Sequence, residues 1–275
     1  MFQLSRRLVV NIILLLLLVL AVASYQTNFK LSPPRSQATP LVHLLPRIKV
    51  LSTDYLDITS DMDNDGINDQ QDILEGARME VRNRTRNILD MEDKTNYFSG
   101  GDPPPDRGVA TDLIARALKN AGFDIQKMVD ADMRADLEAY PLDRWNQLAP
   151  DPNIDYRRAE NLMVFFNRHA QVLTTYIDLK DPENLNQWAP GDIVFWDVNG
   201  DGEVDHAGIL SDKANKEGLP MVIHNFPDPG YTAEEDVLRK WRVVGHYRFP
   251  GQSSSPQQVE QKEDTQSGQR EETTP

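Results

Sequence analysis

Leu8 to Ser24 is an apolar run interrupted only by Asn11, and Arg6 and Arg7 are the only charged side chains ahead of it. Ile12 to Leu18 is aliphatic throughout, which leaves no polar face for a soluble helix to turn toward water. A basic stretch followed by such a core is the pattern of an export signal. Its length is at the short end of the ~17–25 residues that a spanning helix needs, and Ala21-Val22-Ala23 fits a small-x-small cleavage site. Residues 1–24 therefore read as a cleaved signal peptide or as an uncleaved signal anchor. In both cases the arginines stay inside, and the remaining chain is expected outside, held to the cell membrane by a single pass or secreted.

An exported chain can use disulfides, but this one has no cysteine. That excludes a disulfide framework and a cysteine nucleophile alike. Stability must come from a core or from bound ions. Residues 25–53 read as a linker containing Ser32, Pro33, Pro34, Ser36, Gln37 and Pro40, and residues 251–275 as a disordered Ser, Gln, Glu and Thr tail whose one aliphatic residue is Val259. The stretch between them, 54–250, is long enough for one well-cored domain. A net charge of −14 argues against nucleic acid as a partner.

The domain begins with helical patterns. Ile73, Leu74, Ala77 and Val81 share one face of a helix from Asp69 to about Arg84. Val109, Ala110, Leu113, Ile114, Ala117, Leu118 and Ala121 make a second stripe, with Gly122 placed to end it. Further helices are expected over 124–138 and 158–170. After Pro190 the pattern changes to short strands at 193–196, 207–210, 221–224 and 242–247. Helices first and antiparallel strands after them predict an α+β domain.

The acidic excess is partly local. Asp61, Asp63, Asp65, Ile67, Asp69 and Asp72 stand at positions one, three, five, seven, nine and twelve of a calcium-loop pattern with Gly66 at its sharp turn. The twelfth position carries Asp in place of the usual Glu. Alternate carboxylates in such a loop turn their oxygens inward, so calcium is the expected ion. A second loop, Asp197, Asn199, Asp201 and Asp205, has Gly208 at the twelfth position. It reads equally as a calcium site or as a hairpin turn built on Asn199-Gly200-Asp201-Gly202. Asp205 abuts His206, which opens one strand, and His224 closes the next with Asn225 after it. Two histidines on successive antiparallel strands can be brought side by side. His43, His169 and His246 have no expected role.

Gly101-Asp102-Pro103-Pro104-Pro105-Asp106-Arg107-Gly108-Val109-Ala110-Thr111-Asp112 resembles the signature of a bacterial family called domain of unknown function 1287. So do Asn153 to Arg158, Pro190-Gly191-Asp192-Ile193-Val194, His206-Ala207-Gly208-Ile209 and Val222-Ile223-His224-Asn225. That family is in turn similar to NlpC-type cell-wall peptidases and other papain-like folds. The resemblance implies a papain-like fold with a nucleophile at position 110, a base at His206 and an orienting group at His224 or Asn225. Such a thiol at a helix N-terminus would be held as thiolate by the helix dipole and a nearby imidazolium. Position 110 is alanine, so the nucleophile is missing, and Tyr156 stands where the family pattern has a histidine.

The expected function is therefore a non-cleaving, calcium-stabilised protein of the cell envelope that binds cell-wall peptide or an envelope protein. Two alternatives stay open. One is an active hydrolase using a metal at His206, His224 and a carboxylate such as Asp112. The other is a calcium-stabilised interaction module.

Overall fold

A computed structural model of the chain describes residues 49–88 and 97–251. The chain divides between Arg47 and Ile48, and all described residues lie on the C-terminal side of that division. The expected signal segment, the first part of the linker and the tail after Gly251 lie outside the described residues. Among the described residues no helix is long and apolar enough to cross a membrane.

Among the described residues, four of the five helices form where the sequence pattern predicts them: α1 (Asp69–Asn83), α2 (Ala110–Asn120), α3 (Ile125–Ala135) and α4 (Ala159–His169). A four-residue α5 (Pro182–Leu185) follows. Asn68 starts α1 by accepting a hydrogen bond from the Gln71 N–H. Asp112 closes the first turn of α2 by accepting from the Val109 N–H at 2.8 Å. The pattern over 124–138 is cut short at Ala135, and the chain continues as a 3-10 turn, Leu137–Ala139.

Nine strands are present among the described residues. Seven of them, β1 (Lys49–Val50), β4 (Gln171–Val172), β5 (Ile193–Asp197), β6 (His206–Ala214), β7 (Pro220–Asn225), β8 (Thr232–Glu235) and β9 (Arg242–Arg248), join one antiparallel sheet. Its order is β4-β9-β5-β6-β7-β8, and β1 pairs with the far half of β6. The region expected to be linker thus contributes an edge strand at Lys49 and Val50. The other two strands, β2 (Arg86–Asn87) and β3 (Arg107–Gly108), pair with each other in parallel just before α2.

Side chains alternate along a strand, and the two faces of this sheet bury different clusters. Ile193, Phe195, Ala207, Ile209, Ile223 and Tyr247 face the helices and pack with Ile73, Leu113, Ile114, Ala117 and Phe166. Val194, Trp196, Leu210 and Val222 face the other way and are covered by Trp188, Leu219, Val237 and Leu238. Helices on one side of an antiparallel sheet make this an α+β domain, as expected from the order of patterns.

Candidate functional site

The two histidines expected side by side are so placed by strand register. Trp196 pairs with His206, and Gly208 with His224, so both rings stand on the face of Trp196. His206 Nε2 lies 2.9 Å from His224 Nδ1, and His224 Nε2 lies 3.0 Å from Glu235 Oε2 on β8. Ala233, the β8 residue directly opposite His224, is small, and Glu235 reaches the ring diagonally.

Burial holds both rings neutral. It pushes His206 down to about 3, with the electrostatic fields of His224 and Lys240 adding to the effect. Burial also lowers His224, against the opposing pull of Glu235. With both rings neutral the hydrogen-bond order follows. His224 Nε2–H donates to Glu235, His206 Nε2–H donates to His224 Nδ1, and the lone pair of His206 is left at Nδ1. This is a relay with an unprotonated nitrogen at one end. Its neighbours are rings: Trp196 stacks on His206 at 5.6 Å between centroids, and Phe226 and Trp241 approach edge-on at 4.8 and 5.5 Å.

Ala110 is on the other side of the sheet. It is the first residue of α2 and packs in the cluster that contains Ala207 and Ile209. His206 precedes Ala207 on the strand and points the opposite way. The expectation that His206 faces position 110 is therefore not met, and strand alternation is the reason. Asp112 is likewise unavailable to the histidines. It forms a buried two-point ion pair with Arg157, at 2.6 Å to Nε and 2.9 Å to Nη2. Thr111 donates to the Arg157 carbonyl at 2.9 Å. Asn225 is not an orienting group for His206 either. One residue on from His224, it points to the helix side, where its amide donates to the Thr85 carbonyl and Thr232 Oγ1 and accepts from Asn87. The facing nitrogens of the histidines are bonded to each other, so the expected metal set of His206, His224 and Asp112 is not assembled.

The acidic loops differ. In the first, Asp61, Asp63 and Asp65 each offer an oxygen within 4.8 Å of the others. Asp61 accepts from the N–H groups of Asp65 and Gly66 at 3.2 and 2.9 Å, and Asp65 from Ile67 at 2.8 Å. Gly66 has φ +94°, a left-handed turn that a side chain would strain. Asp69 Oδ1 reaches back to the Met62 N–H at 2.8 Å. In the second loop, Asp197 accepts from Gly200, Asp201 and Gly202, and Asp205 spends one oxygen on the Val198 N–H and the other on Asn199. These bonds fit the hairpin-turn alternative, with Gly200 and Gly202 both at positive φ.

Two features were assigned no role from the sequence. Asp192, fully buried, accepts from Arg248 Nε and Nη2, both at 2.8 Å, from Gln70 at 2.9 Å and from the Ala189 N–H at 3.0 Å. It also lies 3.1 Å from His246 Nε2, while the other nitrogen of that ring faces the Thr174 carbonyl at 2.8 Å. His246 is thus a buried structural residue, stacked on Trp188 at 4.1 Å. The second feature is a groove of about 1160 Å³ beside the first acidic loop. Phe123, Met128, Ala170 and Phe249 form its apolar floor, and Asp61 and Arg168 stand on its rim.

Comparison with known proteins agrees with the motifs. The family model described as "Domain of unknown function (DUF1287)" matches residues 74–249, which takes in both histidines, α2, Asp192 and Arg248. The uncharacterized protein YijF of Escherichia coli strain K12 is 38% identical over 177 residues, covering 64% of this chain and 80% of its own. The chain belongs to the family of domain of unknown function 1287.

Proposed function

We propose that this is a binding protein of the cell envelope that does not cleave what it binds, with cell-wall peptide as the ligand and a papain-like ancestry in its helix-and-sheet plan. One observation carries the reading: among the described residues the His206 relay ends at an unprotonated nitrogen with no nucleophile to serve. Among the described residues, His206 makes its hydrogen bond to His224, and the rings of Trp196, Phe226 and Trp241 enclose the rest. A general base contributes to catalysis only when a proton donor stands within hydrogen-bond reach. The groove floored by Phe123, Met128 and Phe249 supplies a concave, partly apolar surface of the size that ligands occupy.

The test is to incubate the full chain in detergent with purified peptidoglycan and measure both retention and released fragments. Retention without fragments is expected. Met128→Glu, which puts a charge on the half-buried floor, should weaken retention at least tenfold. Released peptide fragments, or retention indifferent to the change at Met128, would count against the reading.

A further inference from the structure

The strongest feature outside the histidine relay is the first acidic loop, and it stands independently of the reading above. Asp61, Asp63 and Asp65 point oxygens into one small volume, yet carboxylates brought this close repel one another. The loop does not open to relieve that repulsion. It is closed at its base by the Asp69 N–H donating to the Ser60 carbonyl at 2.9 Å, and α1 begins at that residue.

Two further carboxylates supply a second, separate observation. Asp69 is 1% exposed and Asp72 5% exposed, and in each the Oδ2 atom is buried without a hydrogen-bond partner. A buried acceptor left without a donor is costly, and an ionised one more so. Asp72 lies one turn into α1, directly after the loop. Every other buried carboxylate described above has its partners: Asp112 has Arg157, and Asp192 has Arg248. The two unpartnered carboxylate oxygens belong to residues at the end of the loop, and Asp69 already turns its other oxygen back to the Met62 N–H within it.

We propose that residues Asp61 to Asp72 bind one divalent cation of the calcium kind, with Asp61, Asp63, Asp65, Asp69 and Asp72 supplying carboxylate oxygens and Ile67 its main-chain carbonyl. A hard cation with a preference for six to eight oxygens at an irregular loop matches this donor set, which contains no nitrogen or sulfur. The ion would cancel the repulsion among the three loop carboxylates and give the two buried oxygens their missing partner. It would also tie the loop to the first turn of α1.

The experiment is calcium titration of the chelator-stripped full chain in detergent, by calorimetry and by melting temperature. Wild type is expected to bind and to melt higher in millimolar calcium than in chelator. Asp63→Asn with Asp65→Asn removes two exposed charges that hold no part of the core. This variant should lose at least a hundredfold in affinity and most of the calcium-dependent rise. In chelator it should melt no lower than wild type, because it relieves repulsion, and that result separates loss of a ligand from loss of the fold. Asp201→Asn in the second loop should leave binding unchanged. No binding by wild type, binding unaffected by the Asp63 and Asp65 changes, or loss of binding on changing Asp201 instead would overturn the proposal.

Discussion

At the scale of single residues, the histidine relay shows how much chemistry strand register can assemble without a motif. His206 and His224 were legible in the sequence because each sits at the end of an apolar strand. Glu235 was not, because its strand, Thr-Ala-Glu-Glu, carries no apolar alternation to announce it. Arg157 was missed as the partner of Asp112 for a different reason. The two lie 45 positions apart, and only folding shows that they meet. The relay also has a pH signature. The folded state holds His206 at about 3, whereas the unfolded chain takes up a proton near 6.5. Stability from this group is therefore complete above pH 6.5 and is lost as pH falls from 6.5 toward 3, by up to about 1.4 kcal/mol per unit. His206→Phe keeps a ring among Trp196, Phe226 and Trp241 and removes the titration. The melting temperature of the variant should fall less steeply than that of wild type between pH 6.5 and 4. Equal slopes would show that His206 does not titrate in this way.

Among the elements, the long helices and the core strands follow from apolar spacing, because each buries one continuous face. The two-residue strands β1, β2, β3 and β4 were invisible, since two residues make no period and their partners are remote in the chain. The papain-like expectation ran into the same limit. Its motifs fall in the right elements, yet which face of β6 meets α2 depends on alternation counted from the pairing with β5. Contact between α1 and α2 also rests on a residue that periodicity ignores. A side-chain carbon added at Gly76 would lie 2.8 Å from Ala117 Cα and 2.9 Å from its carbonyl oxygen, closer than unbonded atoms settle. Gly76→Ala should raise intrinsic helix propensity and still destabilise the domain by about 1–3 kcal/mol, because the two backbones must separate. Urea unfolding of the variant checks this, and a gain in stability would show that the helices can move apart freely.

For the whole molecule, Asp192 acts as a junction between parts of the chain that have little else in common. Gln70 lies 122 positions before it, and Arg248 lies 56 after it. Nothing local in Pro190-Gly191-Asp192 signals such a role, although a family motif passes through it. The consequence is kinetic. Contacts of long sequence separation form only after the chain has met the entropy of closing large loops, so this cluster is expected to assemble after the rate-limiting barrier to folding. Asp192→Asn leaves the buried guanidinium of Arg248 without its counter-charge, a change that costs on the order of 3–5 kcal/mol. If the junction closes late, nearly all of that cost should appear as faster unfolding, with refolding from denaturant hardly slowed. Stopped-flow measurement of both limbs separates the two, and a refolding rate that drops by the full amount would place Asp192 in the folding nucleus instead. A protein whose last stitch joins its first long helix to its last strand resists escape from the native state more than it hastens arrival there. Its lifetime in a protease-rich setting is then governed by one buried carboxylate.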